Sequence, residues 1–188
     1  MRYVLLTFFF VVCGFCRESA IAQNNPTPAI VFEVYDIFAE VRPLDMNGLT
    51  AMFEKNTGFD SSNVTAIENL NRLNVFSKAD VDVGYRIYFE FYADIEGTWQ
   101  FDFVYDAGVA SGAFVDQEII FFSNTDIWIN TSKPMLKTVT LKQGWHTFEF
   151  LALEPCCGAP IRFRVKKPNA DEFKVISGDA LQLRSVTR

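Results

Sequence analysis

Histidine is almost missing from this chain: His146 is the only one in 188 residues. That excludes a histidine metal cluster, and any Ser-His-Asp or Cys-His mechanism would have to use this one ring. His146 follows Trp145 and shares its alternation with Phe148 and Phe150, the setting of an ordinary strand-edge histidine. A Gly-rich phosphate loop is absent too. Basic residues are outnumbered, 17 against 23 acidic, and the net charge of −6 argues against nucleic acid as a partner. Carboxylates are plentiful, yet none sits in a motif for glycosidic cleavage. Nothing in these patterns supports an enzyme.

Long apolar runs are also lacking, with one short exception. Met1-Arg2-Tyr3 is a basic start, Val4 to Cys16 is almost purely apolar, and Arg17-Glu18 ends the run. Such a run is too short to cross a hydrocarbon core of about 30 Å as a helix. Ala20-Ile21-Ala22 then supplies the small-x-small pattern that precedes cleavage, so residues 1–22 read as a signal peptide and Gln23 as the mature start. The competing reading is an uncleaved anchor resting on a membrane, against which the run shows no polar face. Lipidation at Cys13 or Cys16 is disfavoured by the residues before them, Val11-Val12 and Gly14-Phe15. Leu181 to Arg188 is short and mixed, neither a transmembrane tail nor a lipid-anchor signal. The expectation is a secreted or periplasmic protein with no stable membrane insertion after cleavage.

Cleavage leaves 166 residues with 15 basic and 22 acidic side chains, a net charge of −7. That length buries a core without metal or disulfide staples. The only cysteines remaining are adjacent, Cys156-Cys157. In an oxidising compartment such a pair can close into a small ring that stiffens its loop while enclosing almost no chain. Two reduced thiols, or a disulfide between chains, are the alternatives.

Aromatic residues are abundant, 20 of them Phe, and favour strands. Gln23 to Ala29 reads as a flexible leader, and Ala29 to Glu40 alternates as a strand. From Pro43 to Lys78 the chain is rich in Asn, Ser, Asp and Gly, with apolar anchors at Leu49, Met52, Phe53, Ile67, Leu70 and Leu73, and reads as long loops with a helical turn. Tyr85, Ile87, Phe89 and Phe91 alternate with polar residues, as do Trp99, Phe101, Phe103 and Tyr105 after the Glu96-Gly97 turn. Further strands are expected at 113–116, 118–122, 127–129, 136–141, 145–153, 161–166, 173–176 and 181–183. Short strands at such intervals, without a sustained helical period, argue for an all-β antiparallel sandwich or barrel.

The order of several short motifs carries a family resemblance. Gly97-Thr98-Trp99-Gln100-Phe101, Tyr105-Asp106-Ala107-Gly108, Ala113-Phe114-Val115-Asp116 and Thr138 through His146 resemble successive motifs of the PA14 β-sandwich. Glu154 to Ala159 is similar to its Gly-rich turn, and Ile161 to Arg164 to the strand that follows. The resemblance implies a single PA14-like sandwich over residues 30–188. PA14-like domains serve as carbohydrate-binding modules and as structural modules, so the fold leaves the function open. In lectin-type members two consecutive aspartates joined by a cis peptide hold a calcium ion that grips sugar hydroxyls. Here that place reads Asp106-Ala107, keeping only the first carboxylate.

The resemblance makes Asp106 and Asp116 candidate calcium ligands. Against this, each suits a turn in which its carboxylate accepts backbone N–H groups. Trp128, between Ile127 and Ile129, is the tryptophan expected to be exposed, while Trp99 and Trp145 fit core or strand-edge positions. Asp106, Trp128, Cys156, Cys157 and Gly158 form the candidate ligand-binding set, with a disulfide between Cys156 and Cys157. Asn63-Val64-Thr65 and Asn130-Thr131-Ser132 fit the N-glycosylation pattern of eukaryotic secretion. The function expected is an exported, non-enzymatic binding module for glycan or a cell-surface partner. The alternative is a structural or assembly subunit without sugar binding.

Overall fold

The computed structural model describes residues 30–37, 42–71, 75–76, 83–125, 127–129, 134–155 and 160–184. The signal peptide and leader, Cys156, Cys157, Gly158 and Asn130 lie outside these residues, as does the Trp128 side chain.

Among the described residues twelve strands form two antiparallel sheets, and one helix packs on one of them. One sheet takes β1 (Ile30–Asp36), β2 (Gly58–Val64), β3 (Val83–Ala93), β5 (Ala110–Val115), β6 (Glu118–Ser123), β9 (Gly144–Glu154) and β12 (Gln182–Arg184). Its order is β2-β1-β3-β9-β5-β6, with β12 also on β3. The other sheet runs β11 (Lys174–Val175), β10 (Arg162–Lys166), β4 (Gly97–Ala107), β7 (Ile127–Ile129), and β8 (Met135–Leu141) pairs with the first part of β4. The period-two alternation of the sequence is the cause: each strand has one face to bury, and two such faces close on each other.

The seam between the sheets is aromatic. Phe89 stacks on Phe148 at 4.7 Å, and Phe163 of the second sheet meets Phe150 at 4.8 Å and Phe103 at 5.0 Å. All five are fully buried, as is Trp99, whose indole N–H donates to the Ile95 carbonyl at 3.1 Å.

The stretch read as loops with a helical turn carries a ten-residue helix, α1 (Met46–Lys55), as well as β2. Asp45 caps it by accepting from the Gly48 N–H at 2.8 Å, a contact worth about 1 kcal/mol. Met46, Leu49 and Phe53 recur at helical spacing and bury against Leu151, Leu153, Ala110 and Tyr35 on the outer face of the larger sheet. Two glycines permit that approach. A Cβ on Gly84 would lie 2.7 Å from Ile37 and 2.9 Å from Phe53, and one on Gly112 would overlap Met46. Among the described residues no helix is long and apolar enough to cross a membrane.

Candidate functional site

Strand direction divides the sandwich into two ends. The turns at Asp94–Gly97 and Gln143–Gly144 mark one, since Ala93 pairs with Gly144. The β4–β5 turn and the exit of β9 mark the other, where Val83 pairs with Glu154 and the Val109 N–H donates to the Leu153 carbonyl at 3.2 Å.

Asp106 lies at this second end, half-buried, with Trp128 opposite it in the β4–β7 register. The Tyr85 hydroxyl donates to the Asp106 carbonyl at 2.8 Å and fixes the backbone entering the turn. Gly108 is required at the tip, because a Cβ there would lie 2.5 Å from Pro155 Cδ and 2.8 Å from Cγ. The β4–β5 turn is thereby packed against the residue that leads into 156–159. Arg42 crosses above it, one guanidinium nitrogen donating to the Asn124 carbonyl at 3.2 Å and the other to the Gly108 carbonyl at 3.4 Å. Arg42, the Gly108 turn and Pro155, distant in sequence, thus converge on one surface.

Beneath that surface the Tyr105 and Ser111 hydroxyls share a buried hydrogen bond of 2.9 Å. Burial pushes the Tyr105 hydroxyl up to about 12, against the opposing pull of the Ser111 hydrogen bond. Glu154, only 5% exposed, continues the inward alternation of Phe148, Phe150 and Ala152.

Asp116 is at the opposite end. The six residues of β5 lie between it and the Asp106 turn, a rise of roughly 20 Å at about 3.3 Å per residue. The expectation of Asp106 and Asp116 as ligands of one metal is thereby corrected: the strand joining them carries each to its own end. Asp116 opens a β5–β6 turn in which it and Gln117 both have positive φ, +52° and +68°. Its carboxylate accepts from the Thr147 N–H at 2.8 Å and meets His146 Nδ1 at 2.5 Å, while its own N–H donates to the Thr147 carbonyl at 3.1 Å. His146 Nε2 faces the Lys142 carbonyl at 2.8 Å, so both ring nitrogens are engaged and neither is left for a nucleophile. At this end Trp145 is 37% exposed and carries the Arg184 guanidinium 4.5 Å above its ring.

Calcium does not fit the residues at Asp106. Ala107 brings a fully buried methyl where a second carboxylate would be needed, and the Asp106–Ala107 peptide is trans. Among the described residues no three His, Cys, Asp or Glu side chains are grouped to hold a metal. Hard oxygen donors must converge for calcium, and among the described residues the position next to Asp106 offers a methyl instead.

Sequence reasoning placed Asp106 correctly on a strand-to-turn boundary but missed Arg42 and Glu154. Arg42 has no local pattern to betray it, since its partners are 66 and 82 residues away. Glu154 extends the inward period of β9 by one step, and that alternation was the available signal.

No protein-family model matches this chain, and no curated protein matches it. Solved structures do. A PA14 sugar-binding domain from an RTX adhesin superposes with a TM-score of 0.65 at 14% identity, covering 86% of this chain and 99% of that one. The PA14 domain of an antifreeze protein gives 0.62 at 12% identity, covering 87% and 96%. An epithelial adhesin A domain from Candida glabrata, solved with Galb1-3GlcNAc, gives 0.59 at 10% identity, covering 85% and 88%. The alternating strands, the two antiparallel sheets and these superpositions agree: the chain folds as a PA14-like β-sandwich.

Proposed function

We propose that this chain is an exported, non-enzymatic binding module that recognises glycan through the end of the sandwich carrying Asp106, Gly108 and Pro155. The supporting observation is the convergence there of three segments held by Arg42 and the Gly108–Pro155 contact. A surface fixed before binding loses less entropy when a ligand settles on it. Asp106 supplies an acceptor for sugar hydroxyls and Trp128, its register partner, an aromatic side chain on the neighbouring strand. Among the neighbouring structures, one is a sugar-binding domain and another an adhesin domain solved with Galb1-3GlcNAc, which favours the same ligand class. Because Asp106 has no second carboxylate beside it, the recognition proposed here does not depend on calcium. Cys156 and Cys157, closed on each other, would stiffen the adjoining loop.

A glycan array screened with calcium and with chelator tests this reading. Binding to at least one glycan is expected in both conditions, and Arg42→Ala should weaken it with little change in melting temperature. Silence in both conditions overturns it. The missing second aspartate favours one other reading, a structural or assembly subunit of a surface complex. That reading predicts a stable protein partner in pull-downs from envelope extracts.

A further inference from the structure

The outer face of the smaller sheet carries cations against the overall charge of the chain. Arg162, Arg164 and Lys166 occupy alternate positions of β10 and share that face. Register extends it across β4 and β8: Lys166 lies opposite Gln100 and then Thr138, Arg164 opposite Asp102 and then Leu136, and Arg162 opposite Val104. The outer face of the larger sheet is partly roofed by α1, whereas here Thr138 and Leu136 are exposed, Leu136 by 58%.

The three cations are not equivalent. Arg164 is neutralised by the fully buried Asp102, its Nε donating to Oδ2 at 2.5 Å. Among the described residues Arg162 and Lys166 have no carboxylate partner, and the buried Arg162 Nε has no hydrogen-bond acceptor. The second carboxylate oxygen of Asp102, Oδ1, is likewise buried and has no donor. Phe173 lies beneath two of the cations, 5.5 Å from the Arg164 guanidinium and 5.9 Å from the Lys166 amine, and holds them in place. Asp106 stands at the far end of the same face of β4, and the exposed Asp171 and Glu172 precede Phe173.

We propose that this face is a second binding site, for an acidic saccharide bearing carboxylate or sulfate groups. Arg162 and Lys166 lie four residues apart, roughly 13 Å at the strand rise, a span on the scale of a disaccharide. Their charges take the anionic groups. Gln100 and Thr138, in the row of Lys166, offer hydrogen bonds to ring hydroxyls beside that amine. The site is independent of the end-loop reading, and either stands if the other falls.

The test uses the full chain with polygalacturonate and dextran sulfate as probes and neutral dextran as control. Binding to at least one polyanion is expected, falling steeply from about 50 to about 500 mM salt, with none to dextran. The double variant Arg162→Gln, Lys166→Gln should lose at least about tenfold in affinity. The single variant Lys166→Gln should lose a smaller part at unchanged melting temperature, which keeps the test valid if the double variant misfolds. Lys55→Gln, on the helix over the other sheet, should change nothing. Failure of the unaltered chain to bind either polyanion at low salt overturns the proposal, as does undiminished binding by Lys166→Gln together with a folded double variant. A double variant that aggregates while Lys166→Gln binds normally also overturns it, since the cations would then serve to keep this exposed sheet face in solution.

Discussion

The two ends of this sandwich each place an aspartate beside a turn and use it differently. At one end Asp116 is consumed by the fold: its carboxylate ties the β5–β6 turn to Thr147 and His146, and the histidine is tied in turn to Lys142. At the other, Asp106 borders a surface assembled from three segments, with Arg42 and Pro155 closing on Gly108. The difference teaches that residue type alone does not mark a binding site. Asp116 is held by donors of its own chain, and Gly108, the turn residue that tolerates no side chain, shows where loops are pressed together.

The largest test breaks both ends at once. Phe148 is fully buried and stacks on Phe89, Phe101 and Phe103, so its seam supports both ends. Phe148→Ala should cost about 3–5 kcal/mol in urea unfolding, with one cooperative transition. Separate transitions for the two ends would show that they fold independently.

Alkaline titration should then separate them. Tyr105, beneath the Asp106 end, holds its proton to about 12, while an unfolded tyrosine releases it near 10. Between these values the unfolded state binds fewer protons than the folded one, so stability falls as pH rises, and below about 10 nothing is lost. The fall should reach about 2–3 kcal/mol by pH 12. Tyr35, raised chiefly by burial, adds to the same limb. In Tyr105→Phe the limb should flatten, and an unchanged slope would show that Tyr105 does not cause it.

A middle-sized effect isolates the Asp116 end. Asp116→Ala leaves the Thr147 N–H and His146 without their acceptor and should cost about 1–2 kcal/mol, read as a lower melting temperature. Any glycan binding found on the array should persist in this variant. Its loss would place Asp116 in the ligand site and erase the contrast between the ends.

Much of the fold was legible because strands announce themselves by period two. The expected 127–129 strand coincides with β7, and the alternation from Tyr85 to Phe91 and the expected 145–153 strand fall inside β3 and β9. Helix α1 was legible as no more than a turn, because Asn47, Gly48 and Thr50 interrupt its apolar anchors and the glycines that receive it are on distant strands. The separation of Asp106 from Asp116 was legible and overlooked. A single strand between two turns carries the chain from one end of a sandwich to the other. Arg42 lay beyond reach, since no local pattern encodes two carbonyls more than sixty residues away.

The smallest effect concerns Gln117, the second residue of the Asp116 turn. With φ of +52° and +68°, the turn is of the type that suits a right-twisted hairpin and favours Asn, Asp or Gly. Asp116 suits its place, but Gln117 is an L-residue in the left-handed region and bears a cost that glycine escapes. Glycine in turn loses more chain entropy on folding, which offsets part of the gain. Gln117→Gly should therefore stabilise the protein by about 0.5–1 kcal/mol, seen as a rise of a few degrees in melting temperature. Combined with Asp116→Ala, the gain should shrink, because the hairpin tip no longer has its carboxylate anchor on Thr147. Additive behaviour would mean that turn geometry and the Asp116 hydrogen bonds hold this end separately.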